Sequence, residues 1–206
     1  MAFELNEGVV RRVLGYLKHG LTRGLGMGGD GKMCVQHVLS TVSGEGKGDD
    51  PSCVWHDLRD LMVTLNDAGW SSNAARAEGL KRLAIAEMGS AEWIRKMPYG
   101  QYAELKSRMG EAVRQGIEAR VPVNNKAGPL ISLRGFSQTG EFASLGHAID
   151  AAARALGNRV GNDGYDLVFH DEAFDDAMGA FCEDLVGVFC DMGAPGAAYL
   201  PLTLQD

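Results

Sequence analysis

The stretch DPSCVWHDLRDLMVTLNDAGWSSNAARAEGLKRLAIAEM, residues 50–88, decides the fold class. Asp50-Pro51 is a helix-start pair, with aspartate at the cap and proline in the first turn. Val54, Leu58, Leu61, Met62 and Leu65 then recur at three- and four-residue steps, which puts them on one helical face. Asn66, Asp67 and Gly69 end that helix. Trp70-Ser71-Ser72-Asn73 reads as a turn whose serine caps a second helix through Met88, with Ala77, Leu80, Leu83, Ala84 and Met88 facing the core.

The same period extends outward in both directions. Residues 4–18 form a first helix around Leu5, Val9, Val13, Tyr16 and Leu17, and Met33–Val42 a short second one. Beyond Met88, Ser90 caps AEWIRKM, Pro98 stops it, and Tyr99–Ala119, Glu141–Leu156 and Asp171–Met192 follow as longer amphipathic helices. Between them, VPVNNKAGPLISLRGFSQTG (121–140) carries two prolines, Asn-Asn and an alternation of Leu130, Ser132 and Arg134 against Ile131 and Leu133. That pattern predicts a short irregular or β segment near 121–136, and a subdomain boundary within 121–140. Gly157–Asp166 reads as loop, Leu167–Phe169 as a short strand, and AAYLPLTLQD as an apolar tail that must dock or find a partner. The expectation is a mainly α, single-domain helical bundle over residues 1–206, with about seven or eight helices.

Composition sets the outer limits. At 206 residues, 45% hydrophobic and 23% charged, the chain is neither a disordered nor a fibrous type. No apolar run approaches the roughly 18 residues that span a bilayer, and MAFELNEGVVRR lacks the basic-then-apolar order of a signal peptide. A cytoplasmic location is expected. Four cysteines are too few for a disulfide framework at this length, and Cys182 and Cys190 sit in an apolar helical pattern that suits reduced thiols.

The net charge of -7 is uneven: after residue 157 ten acidic residues face Arg159 alone. Asp175, Asp176, Glu183 and Asp184 form a candidate partner surface on the last helix, suited to a basic host protein. Such a surface repels phosphate backbones. The nine basic and six acidic side chains of residues 76–120 lack the clustering and aromatic platforms of a nucleic-acid footprint, so direct nucleic-acid binding is not expected.

Chemistry concentrates between Gly20 and His56. Six glycines fall among residues 20–31, a loop that can bring its backbone close to another group. Neither GxxxxGK[ST] nor GxGxxG is present, so a nucleotide cradle is not indicated. Cys34 follows at a helix start, where the positive dipole end lowers a thiol pKa, and this makes it a candidate nucleophile with His19 as a candidate base. Cys34-Val35-Gln36-His37 and Cys53-Val54-Trp55-His56 are two CxxH pairs, which offer Cys34, His37, Cys53 and His56 as zinc ligands. Both pairs equally suit the interiors of amphipathic helices. The chain reversal between them places Cys34 and Cys53 near one another.

The motifs GKMCV, GDDPSCV and LNDAGWSSNAARAEGLKRLAIAEMGS together resemble an uncharacterised group of proteins from phage and bacterial genomes, with the patterns G-x-MCVE-x-A, GxPHGDxPxCV and LNDxxWSSNxARxxGLxxLAxAxLGS. The likeness covers about residues 19–90. It implies a phage or prophage setting and no particular activity. Cys34 and Cys53 match the group's cysteines, and Asp49 and Asp50 its acidic pair. Asn66, Asp67, Trp70, Ser71, Ser72, Asn73 and Arg76 match its polar block, and Asp49, Asp50, Asn66, Asp67, Trp70, Ser71, Asn73 and Arg76 are the candidate binding residues. Two positions depart: Gln36 stands where the group has glutamate, and Gly46-Lys47 where it has Pro-His. His37 and His56 are outside the pattern. The expected function is that of a cytoplasmic, phage-associated protein that binds a host macromolecule, without chemistry of its own and without need of a cofactor. The alternatives are a hydrolase or transferase using Cys34, and a zinc-stabilised helical binding module.

Overall fold

The computed structural model describes residues 3–24, 26, 33–46, 48–160 and 167–205. Leu25, residues 27–32 of the glycine-rich stretch, Lys47 and the expected loop 161–166 lie outside them. Nine α-helices occur among the described residues: α1 (Glu7–Leu17), α2 (Val35–Val42), α3 (His56–Asn66), α4 (Asn73–Glu87), α5 (Ser90–Lys96), α6 (Tyr99–Arg120), α7 (Ala127–Thr139), α8 (Phe142–Gly157) and α9 (Asp171–Asp191). Short 3-10 helices cover Val123–Asn125 and Pro195–Leu204. β1 (Asn158–Val160) and β2 (Leu167–Phe169) pair antiparallel, Asn158 opposite Phe169. The fold is mainly α, as the apolar spacing predicts.

α8 is central, packed against α3, α7 and α9, while α4 lies along α9 and the C-terminal 3-10 helix. Leu145, Ala148, Ile149 and Ala152 of α8 are completely buried, and the alanines let neighbouring helices approach closely. Phe174, Phe181 and Phe189 of α9 fill the space between α9 and its neighbours and are themselves sealed from solvent.

Three local expectations change. Residues 127–139 are helix, not strand or irregular chain. Pro129 sits in the first turn of α7, where its missing N–H costs no hydrogen bond. Leu133 and Phe136, three residues apart, are buried while Ile131 is 69% exposed, so the helical period outweighs the local alternation. α3 begins at His56 instead of Asp50, because residues 51–54 form a turn closed by Val54 N donating to Pro51 O at 3.0 Å. Trp55 N then donates to Ser90 Oγ at 2.9 Å. That contact also takes Ser90 away from capping α5, whose N-cap is Gly89 in the left-handed region.

The apolar tail docks on its own chain. Gly196 lies so close to α4 that a Cβ there would stand 1.9 Å from Ile85 O, Tyr199 OH donates to Leu5 O at 3.2 Å, and Arg82 Nη1 donates to Thr203 Oγ1 at 3.1 Å. Among the described residues no helix is long and apolar enough to cross a membrane.

Candidate polar pocket at the start of α2

The turn between α3 and α4 is the anchor from which the site is built. Arg76 is 5% exposed and donates Nε to Asn66 O at 2.7 Å and Nη1 to Leu21 O and Asn73 Oδ1, each at 2.8 Å. One guanidinium therefore ties the end of α3, the start of α4 and the entry to the glycine-rich stretch. Gly20, at φ 84°, brings the chain against Asn73, and Leu21 N donates to Asn73 O at 2.9 Å.

Asn66 and Asp67 carry the tie further. Asn66 Oδ1 accepts Val35 N at 3.3 Å, while its Nδ2 donates to Thr22 O at 3.0 Å and to Asp67 Oδ1 at 2.9 Å. Asp67 Oδ1 also accepts Gly24 N at 2.8 Å. Thr22 N donates to Met33 O at 3.0 Å, and Gly26 bridges Met33, so both ends of the glycine-rich stretch are closed together. Trp70 Nε1 donates to Leu65 O at 2.9 Å, Ser72 Oγ caps α4 by accepting Ala75 N at 3.0 Å, and Ser71 donates both its N–H and its hydroxyl to Asp175. The polar block thus ties helix ends and a loop together.

These ties border a small cavity of about 40 Å³, lined among the described residues by Gly24, Cys34, Val35, Gln36, Asp49, Val63, Asn66 and Asp67. Cys34 is the N-cap of α2, its Sγ accepting His37 N at 3.4 Å. The helix-start amides draw its pKa down as the sequence predicts, but burial, joined by the charges of Asp49 and Asp67, pushes the thiol up overall. Behind Cys34, Gln36 Nε2 donates to Glu87 Oε1 at 2.9 Å, and Glu87, cut off from water, is held well above the usual carboxylate range. Gln36 Oε1 has no hydrogen-bond donor.

At the mouth, Arg59 Nε donates to Asp49 O at 2.7 Å, and its guanidinium meets the carboxylates of Asp49 and Asp50 at 3.4 Å and that of Asp60 at 2.9 Å. Of the candidate binding residues, Asp49, Asn66 and Asp67 line the cavity; Asp50, Trp70, Ser71, Asn73 and Arg76 are not among its walls. Glu87 and Val63 were not singled out by motif. Glu87 had a signal, because it continues the stripe of Leu80, Leu83 and Ala84, where an acid is out of place.

The four CxxH side chains are not assembled. Cys34 starts α2, whereas Cys53 Sγ accepts Ser43 Oγ at 3.4 Å, and Ser43 is the C-cap of α2. The two thiols thus occupy opposite ends of one helix, roughly 13 Å apart along its axis at 1.5 Å per residue. Sulfurs sharing one zinc would stand within about 4 Å of one another. His37 is buried in α2, and His56 is exposed at the start of α3 with Nε2 3.0 Å from Asp57 Oδ1. Among the described residues no three His, Cys, Asp or Glu side chains are placed to hold a metal ion. Burial pushes the Cys53 thiol up to about 11. His19, past the end of α1, donates its backbone N–H to Tyr16 O at 3.1 Å.

Three of the four acids of the candidate partner surface are engaged within the chain. Asp175 accepts from Ser71, Glu183 accepts Arg82 Nε at 2.8 Å, and Asp184 accepts Arg120 through both oxygens, at 2.6 and 2.8 Å. Asp176 is exposed.

No protein-family model matches the chain, and no curated protein or solved structure matches it significantly.

Proposed function

We propose that this protein acts by binding a macromolecule of a bacterial host, without chemistry of its own, and that the contact is made at the polar pocket at the start of α2. The observation that carries this reading is the state of Cys34. A nucleophilic cysteine needs an exposed, electropositive setting and a neighbouring base. Cys34 instead is 5% exposed, stands between two carboxylates that favour its protonated form, and uses Sγ to accept a helix-start amide.

The host setting is supported by the likeness of residues 19–90 to proteins of phage and bacterial genomes. A basic partner remains the expectation, but its counterpart moves from α9 to the pocket, because Asp175, Glu183 and Asp184 already have partners within the chain. Asp49 and Asp67 line a cavity with no lysine or arginine among the described residues of its wall.

Affinity capture from host lysate, followed by mass spectrometry, tests the reading. The protein and its Cys34→Ala form are expected to retain the same stoichiometric partner. Loss of a catalytic turnover in Cys34→Ala, with no partner retained by either form, would overturn it in favour of a cysteine enzyme.

A further inference from the structure

Glu87 is the last residue of α4, at the negative end of the helix dipole, where a carboxylate is least favourable. It is 2% exposed, and it meets Gln36 of α2, itself sealed from solvent, whose Nε2 donates to Glu87 Oε1 at 2.9 Å. Gln36 Oε1 has no donor among the described residues, and leaving a buried carbonyl oxygen unpaired is costly. An ionised acid only accepts, whereas a neutral acid carries one O–H donor. A carboxylic acid and a primary amide can therefore close a ring of two hydrogen bonds, and the second of them answers the unpaired oxygen. Among the described residues, burial and the Gln36 amide are what act on Glu87. Titratable groups on the surrounding elements are otherwise engaged or neutral. Cys53, before α3, is a thiol held protonated by burial, Glu45, after α2, accepts from Ser52, and Tyr199 donates to Leu5 O. On α9, Glu183 pairs with Arg82, on α3, Asp57 accepts from Tyr102, and on α5, Glu92 pairs with Lys96. α2 itself carries His37, and the buried face of α1 is aliphatic.

We propose that Glu87 is a neutral acid whose hydroxyl donates to Gln36 Oε1, and that loss of this proton to water releases α2 from the end of α4. The surroundings of α2 suit such a movement. It is a helix of 8 residues, with Gly24 and Gly26 before it and Gly44 and Gly46 after it, all four in the left-handed region. Gly44 and Gly46 have open space around them. The end of α4 cannot yield instead, because Gly196 is packed against Ile85 O and Ala86 O. Once α2 is away, Glu87 meets water and takes the ordinary carboxylate value of about 4.3, below its raised value in the closed state. Between those two values opening sheds one proton, so each pH unit favours it by about tenfold; below the lower value pH has no effect on it. Release takes Cys34, Val35 and Gln36 out of the cavity wall, whatever binds there.

The test is native-state amide exchange of the full chain between pH 6 and pH 8, read by NMR and corrected for each amide's intrinsic rate. Side-chain carboxyl and carboxamide carbons are followed alongside in ¹³C-labelled protein. At pH 6 one glutamate carbon, absent from Glu87→Gln, is expected to carry the shift of a neutral acid, and the Gln36 carboxamide carbon to move over the same pH range as that signal. Protection of the Val38 and Leu39 N–H groups of α2 should fall about tenfold per pH unit in the wild type. It should stay level with pH in Glu87→Gln, whose amide keeps a donor for Gln36 and has no proton to lose in this range. Ile149 and Ala152 of α8 should remain at least tenfold better protected than Val38 throughout. The wild-type readings stand by themselves should the variant fail to fold. A carboxylate shift for Glu87 at pH 6, or a Gln36 carbon that does not follow it, overturns the neutral pair. Protection of α2 that stays level with pH in the wild type overturns its release, and equal protection in α2 and α8 overturns it in favour of the whole fold opening.

Discussion

Gln36 Nε2 donates to Glu87 Oε1 at 2.9 Å, an amide and an acid locked together where neither reaches water. Burial raises the Glu87 pKa well above normal, so below the unfolded carboxylate value of about 4.3 the folded and unfolded states are both protonated and the site costs nothing. As pH rises through the raised folded value, the unfolded state releases its proton first and stability is lost. Urea unfolding between pH 4 and pH 8 should therefore show wild type losing stability relative to Glu87→Gln. That variant carries a neutral amide of the same shape and is expected to be the more stable by roughly 1–3 kcal/mol at pH 8.

Arg76 concentrates the largest single cost of substitution. Arg76→Ala strips donors from Asn66 O, Leu21 O and Asn73 Oδ1, and removal of one member of such a buried charged network costs about 3–5 kcal/mol. Arg76→Lys should recover less than half of that, because an ammonium cannot reproduce the planar fork. Chemical denaturation gives both numbers. Faster amide exchange at Leu21 in each variant would mark release of the loop's entry.

Gly196→Ala should detach the C-terminal 3-10 helix. The added methyl would lie 1.9 Å from Ile85 O and 2.8 Å from Ala86 O, both backbone atoms of α4 that cannot rotate away. A loss of about 2–3 kcal/mol is expected, together with new protease cleavage within residues 194–204.

Charge reversal on α9 should act on stability before it acts on any partner. Asp184→Arg faces Arg120 and should lower stability by about 1 kcal/mol, a partly exposed pair being worth a fraction of that and the new repulsion adding to it. Combining it with Arg120→Asp should restore most of the loss, as a double-mutant cycle in urea would show.

Much of this architecture is legible in residues 50–88, since the steps from Leu58 to Leu65 and from Ala77 to Ala84 place those side chains in the core. Ser72 at a helix start is equally legible, because its capping bond depends only on local sequence. What fails is decided at a distance. Trp55 starts α3 late because Ser90, 35 residues on, accepts its N–H, and α7 replaces an expected β segment because Leu133 and Phe136 find a core to enter. Asn66, Asp67 and Arg76 are recognisable as a polar block, but their roles as ties become visible only once Leu21, Gly24 and Val35 are brought beside them. Gln36 and Glu87 illustrate the same limit: each is ordinary in sequence, and only their burial against one another makes them informative.

The central claim, that Cys34 caps a helix and does no chemistry, is tested most directly by the rate at which it is alkylated in the folded protein. Iodoacetamide labelling between pH 7 and pH 10, resolved for each cysteine by peptide mass spectrometry, sets buried Cys34 against exposed Cys190 on the same chain. With its thiol pushed up from the ordinary value by burial and by Asp49 and Asp67, Cys34 should label at least tenfold more slowly than Cys190 at pH 7, gaining rate only toward the top of the range. Labelling of Cys34 ahead of Cys190 at pH 7, with a rate already independent of pH, would reveal a thiolate at the start of α2 and contradict the account.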